Sequence, residues 1–204
     1  MGSPVKPIIA LDIDDVLSHS AAAIIAYANK RWGHMHTLED FNEHLPSLWQ
    51  VTQEEAESRW AEYMASGEME QYQVLADARA VLQNLAKRYR IIAVTSRREE
   101  LMGLTQRWLD QNYPGVVRRL VSSNFYGKGD PHAAKRTKAA ILQELGASYI
   151  IDDQPKHCNG AAGIGVQAIL FGDYPWNRSA ELATGVVRCL DWDAVKGYFD
   201  GRDG

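Results

Sequence analysis

The stretch IALDIDDVLSHS, residues 9–20, decides how this chain is read. An apolar run from Ile8 to Leu11 ends in three carboxylates, Asp12, Asp14 and Asp15. Like charges this close repel, and a buried carboxylate is costly unless a cation, a metal or hydrogen bonds meet it. A core strand that ends this way predicts a charge cluster whose counter-charge comes from elsewhere in the chain.

Working outward, PIIALDI (7–13) reads as a buried strand and SAAAIIAYANKRW (20–32) as a helix. LEDFNEHL (38–45) reads as a short helix. TQEEAESRWAEYMAS (52–66) reads as an amphipathic helix opened by a capping box of Thr52 and Glu55. From residue 77 the rhythm changes to strand–helix alternation. A helix over 77–89, capped by Asp77, precedes the apolar strand RIIAVTS (90–96). A helix over 99–113 stops at Pro114, and VVRRLVSS (116–123) follows as a strand. A helix over 133–146 ends at Gly146. SYIIDD (148–153) and VQAILFG (166–172) are strands, with a helix end and turn over 159–165 between them, and WDAVKGYF (192–199) is a closing helix. Continuous apolar strands alternating with helices predict an α/β fold, a Rossmann-like parallel sheet covered on both faces. Residues 18–75 break the alternation. The expected organisation is a core from 1–17 and 76–204, with 18–75 a helical insert at the carboxyl end of the first strand, where open α/β sheets bind ligands.

The 204 residues suffice for one such domain with a small insert. The formal net charge is -4 and no basic tract occurs, so a nucleic-acid polymer is not the expected partner. No apolar run is long enough to span a membrane, and the first residues, MGSPVKP, carry no apolar signal core. The expected location is the cytoplasm. Cys158 and Cys189 lack metal-type spacing and read as reduced, partly buried thiols.

Three groups of polar residues fall at predicted carboxyl ends of strands: Asp12 and Asp14, Thr95 and Ser96, and Asp152 and Asp153. Lys138 lies in the helix before the last pair, with Lys135 and Arg136 as competitors for its role. Parallel strands carry their ends to one edge, so these groups are expected to converge. Clustered carboxylates suit a hard cation such as magnesium. A carboxylate also serves as a nucleophile through an aspartyl-phosphate. On this reading one of Asp12 and Asp14 attacks while the other, its pKa raised by acidic neighbours, gives a proton to the leaving group. A hydroxyl (Thr95) and an ammonium (Lys138) hold phosphoryl oxygens.

DIDDVL, VTS, the lysine ahead of IDD, and IDD itself resemble, in order and spacing, the four motifs of the haloacid-dehalogenase-like (HAD) hydrolase superfamily. The resemblance implies a HAD fold with Asp12 as nucleophile and Asp14 as general acid/base. It implies Thr95 and Ser96 at the phosphate, and Lys138 steadying nucleophile and phosphate. It also implies Mg2+ held by Asp12, the backbone carbonyl of Asp14 and Asp152, with Asp153 behind the metal site. An Asp at position 14 is similar to the family's phosphatases, not its dehalogenases. The insert resembles a C1 cap, and caps of that kind close over small phosphorylated metabolites. RWLDQNYPGVVRRLVSS and ILFGDYPWN are similar to the 5'(3')-deoxyribonucleotidase, or cytosolic type C nucleotidase, group, which implies a nucleoside monophosphate. Asp15 stands where that group commonly has Gly. The cap ends in GEMEQY (67–72), so base stacking falls to Trp49, Trp60, Tyr63 or Tyr72. A phosphatase of another small metabolite such as a sugar phosphate, a receiver-type phospho-acceptor and a non-catalytic phosphate-binding module remain the alternatives.

Other residues carry blander readings. Arg97 and Arg98 reach either a substrate anion or the neighbouring Glu99 and Glu100. Ser96 doubles as a helix cap. Trp32 and Trp108 read as packing residues.

Overall fold

The computed structural model describes residues 5–123 and 136–202. Within them a parallel sheet is built from β1 (Ile8–Leu11), β2 (Arg90–Thr95), β3 (Val117–Ser122), β4 (Tyr149–Asp152), β5 (Gln167–Phe171) and β6 (Val186–Cys189), in the order β3-β2-β1-β4-β5-β6. The helices are α1 (Ser20–Trp32), α2 (Leu45–Trp49), α3 (Gln53–Ala65), α4 (Ala78–Leu85), α5 (Met102–Asn112), α6 (Lys138–Leu145), α7 (Pro155–Ala162) and α8 (Trp192–Asp200).

Successive strand residues point to opposite faces. Ile9, Leu11, Ile91, Ala93, Ile151 and Ile169 therefore pack with α4, α5 and α8. Ile8, Ala10, Ile92, Val94, Ile150 and Ala168 pack with α6 and α7. Both faces are dry, which is why the central strands read as unbroken apolar runs. The strand order reverses between β1 and β4, and the expected α/β class holds. The backbone N–H of Asp12 still donates to the carbonyl of Ile151 at 3.0 Å, so the sheet extends one step into the acidic motif.

Several local expectations change. Residues 38–45 form a 3-10 turn over Leu38–Asp40, and α2 begins only at Leu45. The cause is side-chain competition for the backbone. Asp40 turns back onto the Thr37 N–H at 2.7 Å, and Asn42 accepts the His44 N–H at 3.0 Å. Thr52 caps α3 by accepting the Glu55 N–H, but the Glu55 carboxylate turns to Arg59 at 2.8 Å, so the capping box is half made. Asp77 precedes α4 with φ +61° and makes no side-chain cap bond. The helix expected over 99–113 starts as a 3-10 turn over Glu99–Leu101 and continues as α5. α6 is capped by Thr137 and closed by Gly146 at φ +61°; residues 133–135 of the expected helix, Lys135 among them, lie outside the described residues. β6 was not expected. It is an edge strand whose residues before Cys189 are partly exposed, so it lacks the apolar run that marks the others. Trp108 is core, whereas Trp32 is only partly buried against it.

The segment 18–75 leaves and re-enters the sheet domain side by side. The His19 N–H donates to Gln73 O at 2.9 Å, and the Leu75 N–H to Leu17 O at 3.0 Å. Ile24, Ala28, Trp49 and Tyr63 of this segment join the same apolar cluster as β1. No described helix is long and apolar enough to cross a membrane.

Candidate active site

After β1 the chain turns sharply. The N–H groups of Leu17 and Ser18 both donate to Ile13 O, and Asp15 adopts φ +55°. That left-handed conformation is costly for most side chains and least so for Gly, Asn and Asp. The Asp15 carboxylate accepts from the Ser20 hydroxyl at 2.9 Å and from the Ala21 N–H at 3.2 Å. It thus caps the first turn of α1, where a negative charge is favoured. The carbonyls of Asp15, Val16 and Leu17 each accept a bond from a distant aromatic side chain: Tyr174 (2.7 Å), Trp192 (2.9 Å) and Tyr113 (2.9 Å). The acidic turn is therefore fixed from the β5, α8 and α5 sides. Only the departure at position 15 hinted at this in the sequence.

Lys138 opens α6 and is buried between two carboxylates, 2.8 Å from Asp12 Oδ1 and 2.7 Å from Asp152 Oδ2. It shares a helix face with Ile141 and Leu142, which pack on the sheet. Burial alone would lower its pKa, but the two carboxylates outweigh that and push it up. Asp152 is fully enclosed. Its Oδ1 also accepts the Gln154 N–H at 2.9 Å and lies 3.2 Å from His157 Nδ1. Burial would raise its carboxyl, but Lys138 and then His157 hold it well below the usual range. Asp12 is raised to about 6 by burial, against the pull of Lys138, with Asp152 and Asp14 adding to the rise.

Asp14 does not behave as expected. Arg97 clamps it with two hydrogen bonds, Nε to Oδ2 at 2.9 Å and Nη2 to Oδ1 at 2.7 Å. Burial would raise the Asp14 carboxyl, but the guanidinium reverses the sign and lowers it. The expectation that acidic neighbours raise this pKa is thereby corrected: a bidentate cation outweighs them. Arg97 itself is held by Thr105 Oγ1 at 3.1 Å and lies over the Tyr72 ring, 5.6 Å from its centroid. Its partner is Asp14, not the neighbouring Glu99 or Glu100. Arg98 takes the expected kind of local pair, 3.7 Å from Glu100.

Thr95 ends β2 in full burial and accepts the Arg97 N–H at 3.1 Å. Ser96 caps no helix; it lines the same cavity as Asp12, Asp14 and Asp153. Asp153 is buried, with Oδ2 accepting the Trp176 indole N–H at 2.6 Å and the Gln154 side-chain amide at 3.1 Å. Burial, then Asp152 and Asp12, push its carboxyl well above the ordinary value. One oxygen each from Asp12, Asp152 and Asp153 lies within 4.8 Å of the others. An all-oxygen set of buried carboxylates has the chemistry of a hard divalent cation's donors. Arg136, a competitor of Lys138, instead pairs with Glu144 at 2.9 Å on the surface.

The cavity over these groups measures about 350 Å³. Its far wall comes from the insert, including Phe41, Trp60, Met69 and Tyr72. Of the four aromatic residues expected to stack a base, Trp60 and Tyr72 line it, whereas Trp49 and Tyr63 are buried in the insert's own packing. Phe41 was not anticipated. Ion pairs span from the insert to the core at Glu70–Arg107 (2.9 Å), Glu39–Arg178 (3.5 Å) and Glu43–Lys156.

A doubly wound sheet with an acidic turn, a buried lysine and paired aspartates at its switch point is the arrangement of a HAD-superfamily hydrolase acting on phosphoric monoesters. Solved structures share the whole architecture. A haloacid-dehalogenase-like family hydrolase from Streptococcus pneumoniae superposes with a TM-score of 0.70 at 17% identity, over 96% of this chain and 98% of its own. A protein from Clostridium acetobutylicum described as a predicted phosphatase gives 0.69 at 15%, over 97% and 100%. The magnesium-bound YfnB of Bacillus subtilis, described as a HAD hydrolase, gives 0.63 at 12%, over 97% and 100%. No curated protein matches at the sequence level. Residues 6–127 match the model of the 5' nucleotidase, deoxy (pyrimidine), cytosolic type C protein family (NT5C), and the chain belongs to that family.

Proposed function

We propose that this protein is a magnesium-dependent phosphatase of small phosphomonoesters, with nucleoside monophosphates as its leading substrates and Asp12 as the nucleophile that is transiently phosphorylated. The observation that carries this reading is Asp12. One of its oxygens is held by buried Lys138, and the residue lines a cavity walled by Trp60 and Phe41. Asp12 attacks phosphorus and the bond to the leaving oxygen breaks, with Asp14 supplying the proton. Asp14, again ionised, then takes a proton from the water that attacks phosphorus and breaks the bond to Asp12. The Arg97 clamp favours the ionised Asp14 of this second step, and an arriving phosphoryl dianion raises its pKa for the first. Thr95 and the backbone at Ser96 sit at the β2 end to orient phosphoryl oxygens.

A bound magnesium supplies positive charge opposite those oxygens. The family resemblance implies as its ligands Asp12, the backbone carbonyl of Asp14 and Asp152, with Asp153 behind. The hydrogen bonds favour exchanging the two aspartates. Both oxygens of Asp152 are engaged by Lys138, Gln154 and His157, whereas Asp153 lines the cavity. Asp12, Asp153 and the Asp14 carbonyl would hold the ion, with Asp152 orienting Lys138. Residues 18–75 act as the cap. Their ion pairs to the core are surface pairs of small individual worth, which suits a lid that opens.

The test is phosphate release from nucleoside 5'- and 3'-monophosphates, deoxy and ribo, and from sugar phosphates, with magnesium or with chelator, and Asp12→Asn as the blank. Magnesium-dependent release from nucleotides, absent in the blank, is the expected result. Release from sugar phosphates alone would move the substrate class, and no release at all would favour a binding module.

A further inference from the structure

Trp176 takes no part in the chemistry above and is not among the residues lining the cavity, yet it joins three parts of the molecule. Its indole N–H donates to Asp153 Oδ2 at 2.6 Å. Its ring stacks on Tyr174, with centroids 4.7 Å apart and planes 5° apart, and meets Phe41 of the insert at 5.3 Å. The segment that carries it is built into the core. Asn177 is fully buried, and its side-chain amide donates to Asp153 O and Phe171 O, both at 2.9 Å. Arg188 of β6 donates to the Asn177 carbonyl at 2.7 Å and to its side-chain oxygen at 3.1 Å. Arg178, the next residue, pairs with Glu39 of the insert. Tyr174 in turn donates to the carbonyl of Asp15 in the acidic turn. Residues 174–178 therefore touch the insert on one side and both acidic motifs on the other.

A carboxylate that must bind a metal through one oxygen is aimed by what holds the other. Resting on the reading of Asp153 as a magnesium ligand, we propose that Trp176 is a positioning residue that ties the metal site to cap closure. The indole, at 2.6 Å the shorter of the two donors to Asp153 Oδ2 beside the Gln154 amide at 3.1 Å, leaves Oδ1 for the ion and rests on Phe41 when the cap is down. Linkage makes the effect reciprocal: a cap contact that steadies the indole tightens metal binding, and the metal favours the closed cap by the same factor. Phe41 thus serves twice, on the cavity wall and against the ring that aims the ligand.

The experiment is manganese(II) binding to the purified protein without substrate, followed by electron paramagnetic resonance and calorimetry. Trp176→Phe keeps the ring and removes the donor. It is expected to weaken manganese binding about tenfold or more, while the metal-free protein melts within about 2 °C of the wild type. Phe41→Ala is expected to weaken binding less, and to add nothing once Trp176→Phe is present. Wild-type affinity in Trp176→Phe would overturn the proposal and leave the phosphatase reading standing. A wild-type protein that binds no manganese would overturn both. A second readout needs no variant. The indole N–H resonance of Trp176 is expected to move on magnesium addition, and a resonance that stays fixed under saturating metal would contradict the coupling.

Discussion

The two acidic pairs, Asp12 and Asp14 just after β1 and Asp152 and Asp153 at the end of β4, have the same side chains and opposite internal order. In the first pair the leading aspartate is raised and the trailing one is held low by Arg97. In the second the leading aspartate is held low by Lys138 and the trailing one is raised. A buried cation lowers one member of each pair, Arg97 for Asp14 and Lys138 for Asp152, although Lys138 also reaches Asp12 at 2.8 Å. The two cations are not equivalent. Both cations are buried, but the carboxylates on Lys138 are 8% and 0% exposed, whereas the Asp14 side chain that Arg97 clamps is 36% exposed. A charge pair gains more, and costs more to break, where water is excluded. On the proposed reading, the nucleophile, proton carrier, metal ligand and anchor are the same residue type set apart by their partners: Lys138 for Asp12 and Asp152, Arg97 for Asp14 and the Trp176 indole for Asp153.

The largest expected effect is on the leading aspartate of the first pair. Asp12→Asn, nearly isosteric, should cut phosphate release by roughly a thousandfold or more with the far-ultraviolet circular dichroism unchanged. Next comes the inequality of the cations. Lys138→Met should cost about 3–5 kcal/mol in urea unfolding, because two enclosed carboxylates lose the cation they share. Arg97→Met should cost less, about 1–2 kcal/mol, since water reaches Asp14. Equal costs would remove the distinction drawn here. A third effect concerns the raised carboxyls. Asp12 titrates near 6 and Asp15, raised by burial and then by Asp14, near 7, both above their unfolded values. The folded state therefore keeps protons that the unfolded chain has lost. The stabilisation is complete below the unfolded carboxyl range and is lost as pH rises through 6 to 7. The metal-free protein should melt several degrees higher at pH 5 than at pH 8, and magnesium should flatten that slope by occupying the raised cluster. The smallest effect is on the cap. Trp60→Ala should raise KM for a nucleoside monophosphate about five- to fiftyfold, the worth of one stacked base, and leave kcat nearly unchanged.

The central strands were legible because both faces are dry, so Ile8–Leu11 and Ile91–Val94 show as unbroken apolar runs. The edge strand β6 was not, since an edge needs no such run. The break between Asp40 and Leu45 was hidden for another reason: Asp40 and Asn42 bond the backbone locally, and composition does not show which polar side chain will do so. The carboxylates of the site and the lysine beside Asp12 were legible, but the partners of Asp14 and Asp153 were not. Arg97 and Asp14 lie 83 positions apart, and Trp176 and Asp153 23. The orientation of the second pair was recoverable in part. Asp152 is in phase with Ile150, whose side of the sheet carries α6 and Lys138, and Asp153 is in phase with Ile151, on the side of the insert. The pleat thus separates Asp152, on the side of Lys138, from Asp153, which lines the cavity.

The most direct measurement is to quench a turning-over reaction in acid, reduce with borohydride and map the modified aspartate by peptide mass spectrometry. The reading offered here predicts conversion at Asp12, lost in Asp12→Asn. Conversion at Asp14, Asp152 or Asp153, or rapid turnover with no acyl phosphate trapped at any of them, would contradict it.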